Sequence, residues 1–126
     1  MSDARVLVGK GSEEPVARAF KAWLERDGWR LIDERGSWAD VIAERGEERL
    51  IGEVKGYTGG NTGLDVDTMF GQLLRRMEPG AATTWAVIVP ARSLTAVLRV
   101  PLDARRGLGI RVFEVRDDDT VVEHLT

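Results

Sequence analysis

The chain has 126 residues, 43% hydrophobic and 31% charged, enough for one domain with its own core and short of what two would need. With no cysteine and one histidine, it cannot use disulfides, thiolate chemistry or cysteine-held zinc. The net charge of −3 argues against a general nucleic-acid coat, but residues 70–116 hold eight basic and three acidic side chains, a local excess able to steer a polyanion.

The start, MSDARVLVGKGS, lacks the charged and then extended apolar run of a signal peptide. The longest uninterrupted apolar run, Trp85 to Val89, falls far short of a membrane span. The expectation is a cytoplasmic protein with no membrane partner. Arg5–Val8 reads as a short strand. Gly9-Lys10-Gly11-Ser12 suggests a phosphate loop, but Ala4 stands where the first glycine belongs and Gly11 where a hydroxyl residue should follow the lysine, so that reading is rejected.

From Ser12 a helix is signalled by a capping serine, Glu13 and Glu14 in the first turn, Pro15 where proline is tolerated, and Gly28 as a stop. Val16, Ala17, Phe20, Trp23 and Leu24 fall on one face. Trp29–Asp33 then reads as a strand. Trp38–Glu44 and Arg49–Lys55 read as two more, joined by a hairpin at Arg45-Gly46-Glu47-Glu48.

After the loop YTGGNTG, Asp65 or Asp67 would cap a second helix with Met69, Phe70, Leu73, Leu74 and Met77 as its buried stripe and Pro79-Gly80 as its end. Thr84–Val89 reads as a buried strand and Ser93–Leu98 as a short helix interrupted at Pro101. Ile110–Val115 and Thr120–Leu125 read as closing strands around Asp117-Asp118-Asp119. Alternating helices and strands predict an α/β domain over residues 1–126, a mixed sheet flanked by helices.

Three charges interrupt the hairpin strands. A loop of two residues, Gly46-Glu47, or of four, Arg45–Glu48, pairs residues whose numbers sum to 93 and sets Asp40 opposite Glu53. Like charges so placed repel unless a positive group lies between them. Alternation puts Asp40, Glu53 and Lys55 on one face with Trp38, Ile42 and Ile51, and Ala39, Val41, Leu50 and Val54 on the other. Two converging carboxylates suit a hard divalent cation, Mg²⁺ or Mn²⁺, with Lys55 as a compact positive charge at its edge. The plain alternative is a solvated strand face with a cross-strand ion pair.

Asp40, twelve intervening residues, then Glu53-Val54-Lys55, set between two helices, resembles the PD-(D/E)XK nuclease superfamily with its restriction-endonuclease-like fold and αβββαβ core. Gly11-Ser12-Glu13-Glu14 before the first helix, Gly28-Trp29 after it and Gly52-Glu53-Val54-Lys55-Gly56 on the third strand are most similar to the Holliday-junction resolvase and Mrr-like branches. The resemblance implies a metal-dependent endonuclease in which Asp40 and Glu53 hold Mg²⁺, the carbonyl of Val54 is a further ligand, and Lys55 assists the attacking water. Two positions depart from the pattern. Ala39 stands where the motif has proline, and Ala17 where the helix acid of the family is expected. Glu13, pointing inward on the helical wheel, is preferred over Glu14 for that role.

Gln72 occupies a helix position where several nuclease branches carry glutamine, although Arg76 stands where one branch has tyrosine. Arg75 and Arg76 lie on the same polar side and would meet a phosphate backbone. Arg99, Arg105 and Arg106 read individually as solvated, as does His124. Tyr57 would stack on a base or pack. The expected substrate is DNA, branched or duplex, and cutting both strands calls for a homodimer. The alternative is an inactive nuclease-fold interaction module in a defence or repair assembly.

Overall fold

A computed structural model describes residues 13–56, 61–78 and 82–125. The expected strand Arg5–Val8, the Ser12 cap, Tyr57 and the Pro79-Gly80 stop lie outside these residues. Helix α1 spans Glu13–Arg26 and buries Val16, Phe20 and Leu24. It ends in a Schellman turn: Gly28 takes φ +88°, the Trp29 N–H donates to the Leu24 carbonyl at 2.9 Å, and the Gly28 N–H to that of Glu25 at 3.1 Å. A side chain at that φ would be strained, so the stop is built into the glycine.

Strands β1 (Arg30–Leu31), β2 (Val41–Arg45) and β3 (Glu48–Val54) form an antiparallel set. The loop of the second hairpin is Gly46-Glu47, with Gly46 at φ +60°, and its ladder runs from Val41↔Gly52 to Arg45↔Glu48, every pair summing to 93. Helix α2 (Thr62–Arg76) leads to β4 (Thr83–Pro90), which runs parallel to β3. A 3₁₀ turn (Ala91–Ser93) and short helices α3 (Leu94–Val97) and α4 (Leu102–Gly107) then lead to β5 (Ile110–Val115), parallel to β4. Strand β6 (Val121–His124) closes antiparallel after a turn in which Asp119 takes φ +67°. The six strands lie in chain order, a mixed sheet with helices on both faces, as expected from the sequence.

Helix α1 covers one face, packing Phe20 and Leu24 with Val41, Leu50, Val54, Ile88 and Phe113. Helix α2 covers the other, packing Val66, Met69, Phe70 and Leu73 with Trp85, Val87 and Val112. Strand β4 contributes to both clusters, which accounts for its continuous apolar run.

Several expectations give way. Asn61 caps α2 in place of Asp65 or Asp67, its Oδ1 accepting from the Leu64 N–H at 3.0 Å; the aspartates therefore fall inside the helix. Val66 joins the buried stripe, whereas Leu74 is exposed. Helix α4 starts after Pro101, which sits as its N-cap, so the proline begins a second helix.

Arg105 is buried, its Nε donating to the Val100 carbonyl at 2.9 Å. His124 has a partner that sequence distance hid: Nε2 lies 2.8 Å from Oε1 of buried Glu114, which also meets Arg116 Nε at 3.4 Å.

Candidate active site

The hairpin ladder stops one pair before Asp40. The Asp40 N–H donates to the Gly52 carbonyl at 3.0 Å, not to Glu53, and the residue leaves the strand. Strand β3 continues past that point, so a notch opens beside Glu53 and Val54 where β2 would otherwise run. The Val54 N–H faces this notch, and Asp40 Oδ2 accepts it at 2.8 Å. A backbone donor without a strand partner must find another acceptor when partly buried, and here it is the carboxylate itself. In a strand, a residue's N–H and C=O point the same way, so the carbonyl of Val54 is also directed at the notch. The Lys55 N–H turns the other way, to the Ile88 carbonyl of β4 at 2.9 Å.

Leaving the ladder also takes Asp40 out of the alternation expected for it. Asp40 lines a cavity of about 270 Å³ on the α1 side, with Glu13, Glu14, Ala17, Lys21, Glu34 and Val54. Glu53 follows Ile51 by two residues, and the Ile51 row packs towards α2. Burial, then the charge of Asp40, pushes the Glu53 carboxyl up to about 7; Arg76 and Lys55 pull against this, and Glu13 adds to it. One oxygen, Glu53 Oε2, is buried with no hydrogen-bond partner among the described residues. Burial also raises Asp40, opposed by its bond to the Val54 N–H and by the charges of Lys21 and Arg76.

Both Glu13 and Glu14 line the same cavity. Glu14 is exposed and pairs with Arg18 at 2.7 Å. Glu13, although solvent reaches it, is desolvated enough by surrounding protein to have its carboxyl raised; Asp40 adds to the effect and Lys55 opposes it. Ala17, where the resembled family would carry its acid, lines the same cavity without a polar atom.

Of the helix residues singled out from sequence, Arg76 is drawn in: its guanidinium lies 5.0 Å from the Trp38 ring centroid and its charge bears on both Asp40 and Glu53. Gln72 and Arg75 are exposed on α2, and neither lines this cavity. Sequence reading missed Lys21 and Glu34, whose ion pair at 2.6 Å stands at the wall of the cavity. Helical spacing places Lys21 one turn beyond Ala17, on the cavity side, but nothing local announces Glu34, thirteen residues away.

Among the described residues, no three carboxylate or imidazole side chains converge as a ready-made cation cage. Asp40, Glu53 and the carbonyl of Val54 could offer oxygen donors alone, one carboxylate oxygen being unpartnered among the described residues. Such a set suits a hard cation that keeps much of its own water.

No known family profile matches the chain, and no curated protein does. Two solved structures share its fold. A crystal structure of an XisH family protein from Nostoc punctiforme is 19% identical and superposes with a TM-score of 0.60 over 85% of this chain and 95% of that one. An fdxN element excision controlling factor protein from Anabaena variabilis is 18% identical, with a TM-score of 0.64 over 90% of this chain and 99% of that one.

Proposed function

We propose that this chain is a metal-dependent nuclease that hydrolyses DNA phosphodiester bonds. Its mixed six-stranded α/β fold is consistent with the restriction-endonuclease-like fold and matches the XisH structures. The observation that carries the reading is a Glu53 oxygen buried without a partner among the described residues, beside the notch that Asp40 enters and under the influence of the Asp40 charge. Leaving a carboxylate oxygen orphaned costs stability, and a fold that accepts this cost has a use for the oxygen.

Asp40, Glu53 and the carbonyl of Val54 would hold Mg²⁺ or Mn²⁺. A cation there supplies Lewis acidity to a phosphate and acidifies a bound water. The residues of the chain then have separate tasks. Asp40 is oriented by the Val54 N–H, Lys55 meets charge developing on phosphate oxygens or positions the water, and Glu13 adds negative charge at the near end of α1. Arg76 offsets the carboxylate pair until the cation enters. Gln72 and Arg75, exposed on the same helix, would lie along the approach of the nucleic acid. Cutting both strands of a duplex would take two copies of this site, so we expect a homodimer.

The test is calorimetric titration of Mn²⁺ into wild type and Asp40→Ala, followed by nicking assays on plasmid and branched DNA. Heat and nicking in wild type, both lost in the variant, support the reading; neither in wild type removes it. A second reading, a catalytically inactive interaction module, is favoured by the incomplete carboxylate cluster and by the controlling role for which the Anabaena protein is named. It predicts a folded chain that takes up no cation.

A further inference from the structure

On the α2 side of the sheet, next to the carboxylate notch, lies a second cavity of about 280 Å³ lined by Trp38, Arg49, Ile51, Arg76, Glu78 and Trp85. The Trp38 and Trp85 indoles are near parallel, 16° between planes with centroids 6.4 Å apart. Trp85 is almost wholly buried and Trp38 is half-buried, so the two differ in what they can offer a ligand. The Arg76 guanidinium lies over Trp38, and that of Arg49 reaches Glu44 only at 3.8 Å. The accessible part of Trp38 with two guanidinium groups beside it fits a flat, aromatic, anionic ligand.

The volume lies just below the usual range of small-molecule sites and is ample for one base. Position narrows the choice further. Ile51 pairs with Trp85 across the parallel ladder and Glu53 with Val87, so the cavity floor is one strand repeat, about 6.6 Å, from the Glu53 row.

We propose that this cavity receives one unpaired nucleobase of a nucleic-acid strand, stacked on Trp38, with Arg49 and Arg76 meeting the adjoining phosphates and Glu78 at the rim accepting from an exocyclic amine. This rests on the nucleic-acid reading above and narrows its substrate to strands with an unpaired nucleotide beside the carboxylate site. Base stacking on an aromatic side chain accepts any base, so the site confers preference for single-stranded over duplex structure without reading sequence.

The experiment is run in EDTA with the full chain, measuring anisotropy of a labelled strand of about six nucleotides. It compares the strand with an abasic strand of equal length and with a duplex. The intact single strand should bind about tenfold or more tightly than either. Trp38→Leu should weaken it about ten- to a hundredfold while Trp38→Phe retains most of it. Arg49→Gln should lower the slope of log affinity against log salt by about 0.7.

Equal binding of the abasic strand or the duplex overturns the proposal, as does no binding of any strand. Should Trp38→Leu fail to fold, the abasic comparison and Arg49→Gln still decide. Because no cation is present, strand binding without Mn²⁺ heat would keep this site and remove the hydrolase. Mn²⁺ heat without base-dependent binding would do the reverse.

Discussion

Asp40 Oδ2 accepts the Val54 N–H at 2.8 Å, a side chain standing in for the strand that stops short of it. The bond sets the orientation of the carboxylate, and one residue serves both fold and site. Asp40→Asn keeps an acceptor for that N–H, so it should fold with stability within about 1 kcal/mol of wild type. Asp40→Ala leaves the donor unpaired and should cost about 1–2 kcal/mol more than Asn. Both should abolish Mn²⁺ heat. Urea denaturation of the two variants beside calorimetry checks this; equal stability of Asn and Ala would show that the bond contributes nothing.

Glu53 makes stability depend on pH. Burial and Asp40 raise its carboxyl from 4.5 to about 7, so across that window the folded chain holds a proton that the unfolded chain has released. Stability should fall as pH rises through the window and level off above it. The group is only half-buried, so solvent screening reduces the effect to about 1–2 kcal/mol. In EDTA, Glu53→Gln should flatten this slope and be the more stable protein at pH 8. Denaturation at pH 5 and pH 8 measures both, and a slope unchanged in the variant would assign it elsewhere.

The same proton competes with a cation, so Mn²⁺ affinity should rise with pH up to about 7 and flatten beyond. The charge of Arg76 lowers both Asp40 and Glu53, so Arg76→Ala should move that midpoint upward. It should also lose about 0.5–1 kcal/mol of stability with the contact to Trp38. Calorimetry between pH 6 and pH 8 tests the direction. A midpoint that stays or falls would mean the guanidinium is too well solvated to act on the pair.

What could be read from the sequence was what a local rule fixes. A two-residue turn at Gly46-Glu47 sets every β2–β3 pair, and alternation along β3 separates Glu53 from Val54. Helical angle does not separate Glu13 from Glu14, since both are exposed and both line the cavity. Misreadings arose where a side chain overrode the pattern. Asp40 abandons the ladder to serve the Val54 N–H, and Asn61 captures the helix start from two aspartates nearby. Lys21–Glu34 and Glu114–His124 join residues at sequence separations of thirteen and ten, for which no periodicity gives a signal. Arg105, buried on a carbonyl, shows the same limit for a charge taken as solvated.

The position of Glu53 depends on its neighbour. Gly52 lies in the middle of the sheet, where an added Cβ would stand 2.8 Å from Ile88 Cδ1, 3.6 Å from the Ala86 carbonyl oxygen and 3.6 Å from Val41 Cβ. Only the first of these is a clash, and it involves the end of a side chain within a packed core. Gly52→Ala should therefore cost about 1–3 kcal/mol through overpacking. It should also weaken cation binding by displacing β3 next to the carboxylate. Ile88→Val removes the offending methyl at a cost of about 0.5–1.5 kcal/mol. If the clash is the cause, the double variant should be more stable than the sum of the single losses requires, by about 1 kcal/mol or more, and should regain cation binding. Denaturation of the four proteins closes the cycle; strict additivity would place the need for glycine in the backbone of β3.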